Sequence, residues 1–138
     1  AKATSSWVDE ERSSTRESTI TMDRFETVTD DNWKDFTSHS LAVLMVAETD
    51  CPACGAWTEE LCADLEADEG WKHVRFGKVK IDADDTVEFR KSNQVWLDMI
   101  QGVPFNVIYV DGGPQTSFYG GGLERLWKRL ERLSKKDG

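Results

Sequence analysis

Apolar residues are spaced in two rhythms along this chain, and the rhythm switches repeatedly after about residue 20. Arg24–Thr29 reads as a strand with Phe25 and Val28 as its apolar marks. Trp33 and Phe36, at i and i+3, read as a short helix, with Asp30 or Asp31 as its cap. Leu41–Ala47 is uninterrupted by charge, the pattern of a strand buried on both faces. Helical spacing returns from about Pro52 to Ala67 and stops near Gly70. Val74–Ile81 is another strand, Asp82–Asp85 a turn and helix cap, and Thr86–Ile100 a helical stretch. Val103–Val110 and Gln115–Tyr119 are two strands joined by the tight turn Asp111-Gly-Gly-Pro114. A final helix carries Leu123, Leu126, Trp127, Leu130 and Leu133 on one stripe. The order β-α-β-α-β-α-β-β-α makes the early strands parallel and adds antiparallel ones at the hairpin.

Residues 1–20 break the pattern. They are rich in Ser, Thr, Glu and Arg, with Trp7 and Val8 the only large apolar side chains before Ile20. Such a segment buries too little surface to offset its ordering entropy. The expected organisation is a flexible polar extension over 1–20, with Trp7 its one docking residue, and one domain over 21–138.

Composition narrows the function. With 138 residues the chain suits one domain, and six tryptophans with six phenylalanines can anchor its core. The net charge of −9 repels phosphate backbones and anionic lipid, so neither nucleic acid nor membrane is an expected partner. No apolar stretch approaches the roughly 20 residues of a membrane helix.

The chemistry concentrates at Cys51-Pro52-Ala53-Cys54, where the buried strand gives way to a helix. A sulfur at a helix N-terminus meets the positive end of the macrodipole, which favours thiolate. A second sulfur one turn inside can attack a mixed disulfide formed by the first. Three cysteines do not make a disulfide framework, and two of them lie in one C-x-x-C, which argues for a redox or metal role. The pair could supply half of a tetrahedral zinc set, but no second pair follows, and His39 and His73 lack ligand spacing, so no metal is expected. Cys62 reads as a small core residue. Asp82-Ala-Asp-Asp85 lacks the glycine and glutamate of a calcium loop. Trp96, Leu97, Met99 and Ile100 read as core.

The order of elements, the C-x-x-C after the second strand, Gly102-Val103-Pro104 before the hairpin, the Asp-Gly-Gly turn and the closing amphipathic helix resemble the thioredoxin superfamily over about residues 21–135. The resemblance implies an α/β thioredoxin fold, a central mixed β-sheet flanked by helices. It implies a protein-disulfide oxidoreductase, with Cys51 as nucleophile and Cys54 as resolving thiol, and no cofactor. Pro104 takes the position of the family's cis-proline, leaving the Val103 backbone free to pair with a bound peptide; Pro52 and Ala53 complete the expected substrate contacts. Protein disulfides are the implied substrates, a reductase or small thiol the implied recycling partner, and a monomer the implied state.

The chain also departs from the family. Asp50 stands before the nucleophile in place of an aromatic, and its charge disfavours the Cys51 thiolate. The family's buried acid falls on Met45, while its lysine companion is kept as Lys78. Glu48 is the nearest carboxylate at that strand end. Asp50, Glu48 and Lys78 are therefore the candidate tuning residues. The lost acid and aromatic support an alternative, a thioredoxin-like module that binds client peptides with weak or no turnover. With no secretory leader in the sequence as given and Cys62 unpaired, the expected location is cytoplasmic.

Overall fold

The structure is a computed structural model describing residues 25–67, 71 and 73–137. The expected extension over 1–20, and a helix end near Gly70, lie outside the described residues. The described strands are β1 (Phe25–Thr27), β2 (Leu41–Ala47), β3 (Arg75–Lys80), β4 (Phe105–Val110) and β5 (Gly113–Tyr119). The helices are α1 (Trp33–Thr37), α2 (Pro52–Ala67), α3 (Val87–Ser92), α4 (Gln94–Leu97) and α5 (Leu123–Asp137). A 3₁₀ turn, Asp84–Thr86, precedes α3.

The strands form one mixed sheet in the order β1-β3-β2-β4-β5. β3 runs parallel to both β1 and β2, and β4 is antiparallel to β2 and β5. β2 is central and every one of its seven residues is buried. Its alternation divides the core. Leu41, Val43 and Met45 join Trp57, Leu61 and Leu65 of α2 and Leu126 and Leu130 of α5 on one face. Ala42, Leu44 and Val46 join Phe36, Val79, Phe89 and Val107 on the other. A strand apolar at every position is what this two-sided burial requires.

Local chemistry sets several boundaries. Pro52 opens α2, where its missing N–H and fixed φ cost least. Asp111 (φ 52°) and Gly112 (φ 91°) close the two-residue hairpin between Val110 and Gly113, both in the left-handed region such a turn needs.

Three local expectations are corrected. Neither Asp30 nor Asp31 caps α1; Asn32 sits at that N-cap and its Oδ1 accepts the Thr29 N–H instead. The Asp30 carboxylate accepts the N–H of Phe89, in the first turn of α3. The stretch 86–100 is not one helix: backbone breaks at Thr86 and Asn93 divide it into a 3₁₀ turn and two short helices. In its later part Trp96, Leu97 and Ile100 are half-buried and pack against the core as expected, whereas Met99 is 77% exposed.

Candidate active site

The C-terminal end of β2 and the start of β4 lie side by side because Val46 pairs with Phe105. The loop leaving β2 therefore delivers Cys51 to the same end of the sheet as Val103 and Pro104. The Thr49 backbone N–H and hydroxyl in that loop both meet the Asp82 carboxylate, at 3.1 Å. Asp82, expected to cap the following helix, instead ties down the segment leading into the cysteines. These bonds, the backbone one first, hold its carboxyl below the ordinary range.

Cys51 and Cys54 are joined by a disulfide, with Cα atoms 5.2 Å apart. The Cys51 sulfur, half-buried at the mouth of α2, accepts the Cys54 N–H at 3.1 Å. A sulfur in the N-cap position thus satisfies one of the helix's unpaired donors. Cys54 lies behind it, 2% exposed. The Val103 carbonyl oxygen is 3.9 Å from the Cys51 sulfur, and the Val103–Pro104 peptide bond is cis. Pro104 is buried, and its carbonyl accepts the Gly120 N–H at 2.7 Å. Pro52 and Ala53 are exposed at the same mouth.

Of the candidate tuning residues, Asp50 and Glu48 are exposed in the loop, while Lys78 is half-buried on β3 opposite Met45. No hydrogen bond or ion pair joins Glu48 to Lys78 among the described residues. The Lys78 ammonium donates to the Thr58 hydroxyl at 3.1 Å, and that hydroxyl donates to the Cys54 carbonyl at 2.8 Å. It also lies 3.6 Å from the Met45 sulfur. Burial lowers the Lys78 pKa, with Lys80 adding to the effect. Thr58 escapes a reading of the sequence alone; its one signal is its i+4 spacing from Cys54.

Asn106 also goes unremarked in the sequence. It is buried on β4 opposite Met45, accepts the Trp57 indole N–H at 2.9 Å, and donates to the carbonyls of Phe118 and Gly120. Beyond Phe105 a groove of about 570 Å³ runs between Trp96, Met99, Ile100 and Tyr119. Cys62 is half-buried rather than fully interior, and burial raises its thiol pKa. Among the described residues no three His, Cys, Asp or Glu side chains converge as a metal site. No described helix is long and apolar enough to cross a membrane.

The fold has counterparts among solved structures. Thioredoxin from Malassezia sympodialis superposes with a TM-score of 0.61 at 17% identity, over 77% of this chain and 87% of its own. Thioredoxin from Trypanosoma brucei brucei gives 0.62 at 19%, over 80% and 91%.

The chain has the thioredoxin fold.

A chain of the ferredoxin:thioredoxin reductase and thioredoxin f2 complex gives 0.64 at 18%, over 80% of this chain and 96% of that one. No protein-family model and no curated protein matches the sequence. Within this thioredoxin fold, Cys51 and Cys54 sit at the start of α2 and Pro104 sits beside them.

Proposed function

We propose that the protein is a thiol–disulfide oxidoreductase acting on protein disulfides, with Cys51 as nucleophile and Cys54 as resolving thiol. One observation carries this reading. The Cys51 sulfur is half-exposed at a helix N-terminus, where it accepts the Cys54 N–H, and its partner sulfur is buried directly behind it. An accessible sulfur that receives an N–H and the helix dipole is stabilised as thiolate.

Starting from the dithiol, the Cys51 thiolate attacks one sulfur of a substrate disulfide. The substrate S–S bond breaks, its other sulfur leaves as thiolate and takes a proton from water, and Cys51 is left in a mixed disulfide. The Cys54 thiolate then attacks the Cys51 sulfur. The second substrate sulfur leaves, and Cys51–Cys54 holds the two electrons' worth of oxidation. The balance closes without a cofactor. A partner reductase or a small thiol returns the pair to the dithiol. An extended substrate segment lies along the Val103 backbone, against Pro104 and over Pro52 and Ala53. Placement in the cytoplasm belongs to the same proposal and rests on the free thiol of Cys62.

A second reading is favoured by Met45 and Asp50, the two positions that depart from the family's residues. The scaffold would then hold peptides at Val103 and Pro104 without exchange. Dithiothreitol-driven reduction of insulin disulfides separates the two. Oxidoreductase activity predicts acceleration by the full chain, loss in Cys51→Ser, and a Cys51-linked mixed disulfide accumulating in Cys54→Ser. No acceleration together with retained peptide binding establishes the second reading instead.

A further inference from the structure

Charge is divided unevenly in this acidic chain. The α5 segment, Leu123–Asp137, carries six Lys and Arg against three Asp and Glu, while the rest of the chain carries eleven against twenty-three. The bases are sorted within α5 too. Arg125, Lys128, Arg129 and Arg132 recur at i, i+3, i+4 and i+7, the spacing of one helical face, opposite the stripe of Leu126, Leu130 and Leu133 that packs on the sheet. Arg129 is half-buried and the other three are exposed. Two of the guanidinium groups are held in place. Both lie over the Phe118 ring, Arg125 at 4.8 Å and Arg129 at 4.7 Å from its centre. Arg125 donates from Nη2 to the carbonyls of Tyr119 and Gly121, and Arg129 donates from Nη1 to the Arg125 carbonyl. Like charges at i and i+4 oppose a helix, yet no carboxylate pairs with Arg125, Arg129 or Arg132 among the described residues. Nε and Nη1 of Arg125, and Nε and Nη2 of Arg129, make no hydrogen bond among them either.

This face begins at the cysteine site. Arg125 grips the carbonyls on either side of Gly120, and the Gly120 N–H bonds the carbonyl of Pro104. A Cβ at Gly121 would lie 3.0 Å from the Trp57 ring, so the start of α5 abuts α2 one turn beyond Cys54. The other flank is acidic: Glu48 and Asp50 are exposed in the loop before Cys51, and Asp82 ties that loop down from the end of β3. The mouth of the site stands between carboxylates on its β3 side and guanidinium groups on its β5 side. We infer that the basic face of α5 docks an acidic segment of the protein whose disulfide is exchanged, and so sets the direction in which that protein lies across Cys51. The inference rests on the exchange reading above and adds the charge of its substrate. Complementarity selects the occupant. Carboxylates fit the free guanidinium edges, while Glu48 and Asp50 repel the same segment from the opposite flank. From Arg125 to Arg132 the face spans about 10 Å of helix, the reach of a short acidic run. A nucleic-acid strand or an anionic bilayer extends past that span onto the acidic remainder of the chain.

The test uses the full chain and three peptides that share one disulfide and differ only in a flanking run of glutamates, glutamines or lysines. Single-turnover reduction by the dithiol form is expected to be about tenfold faster for the glutamate peptide than for the glutamine one at low salt, and slowest for the lysine one. The preference is expected to fade at about 0.5 M salt. Arg129→Gln/Arg132→Gln, which spares the Arg125 bonds, is expected to bring the glutamate-to-glutamine ratio toward one, and Arg129→Glu/Arg132→Glu to reverse the order in favour of lysine. Fluorescence anisotropy of labelled peptides with serine in place of cysteine reads docking on the oxidised protein without turnover. A glutamate preference in anisotropy with no reduction of any peptide sinks the exchange reading and leaves the acidic docking surface standing. Fast reduction of all three peptides alike sinks this inference alone. A glutamate preference that survives Arg129→Glu/Arg132→Glu, in a protein with the parent's circular dichroism, overturns it as well. If that variant fails to fold, an unchanged ratio in Arg129→Gln/Arg132→Gln does the same. Tighter binding of a single-stranded oligonucleotide or of phosphatidylserine vesicles than of the glutamate peptide would assign the face to another occupant and overturn it too.

Discussion

Trp57 and Asn106 join the helix that carries the cysteines to the strand that follows Pro104: the indole N–H donates to Asn106 Oδ1 at 2.9 Å, inside the core. The same amide holds the carbonyls of Phe118 and Gly120. Both halves of the candidate site hang on one buried polar group, and every polar atom of that group is satisfied.

Asn106→Ala strands the Trp57 N–H in the buried core and removes the donor to the half-buried Gly120 carbonyl. The expected cost is about 3 kcal/mol of folding stability, the range for buried polar groups left unpaired. Urea denaturation checks it: the midpoint falls and the slope stays. Asn106→Ala as stable as the parent would mean that the amide is dispensable.

Asp82 confers a stability that depends on pH. Its carboxyl is held below the ordinary value of 3.8 by the Thr49 backbone N–H first and its hydroxyl next. A depressed carboxyl stabilises the fold above its unfolded-state pKa, and that contribution is lost as pH falls through the folded-state value. Asp82→Ala is therefore expected to melt below the parent at pH 6, with the gap closing toward pH 3. A gap of constant width in thermal melts across that range would remove Asp82 from the account.

Gly77 is required by packing. It pairs with Glu26 on one side and Leu44 on the other, and a Cβ there would lie 2.8 Å from a Phe36 ring carbon and 2.9 Å from a Val28 methyl. Gly77→Ala is expected to cost about 2 kcal/mol through overpacking. Thermal denaturation reads this directly, and an unchanged melting temperature would show that the ring moves aside freely.

What the sequence makes legible follows from how local each cause is. Leu41–Ala47 is read to its exact ends because burial on both faces demands an apolar residue at every step. Pro52 and the helical spacing after it likewise locate α2. The aspartates are misassigned because their partners lie far along the chain: Asp30 bonds to Phe89 and Asp82 to Thr49, and no local pattern marks either. Thr58 is invisible for the same reason, since its importance comes from a lysine on another strand. Met99 defeats the reading differently. Its apolar side chain suits a core, but the backbone breaks around α4 turn it outward.

The most direct measurement of the central claim is the redox equilibrium of the Cys51–Cys54 pair in glutathione buffers, read by thiol trapping at each cysteine. The account predicts one two-electron couple shared by Cys51 and Cys54, with a midpoint between about −270 and −120 mV and Cys62 reduced throughout. Cys51 and Cys54 trapped as free thiols under every buffer, or a disulfide that engages Cys62 instead, would contradict it.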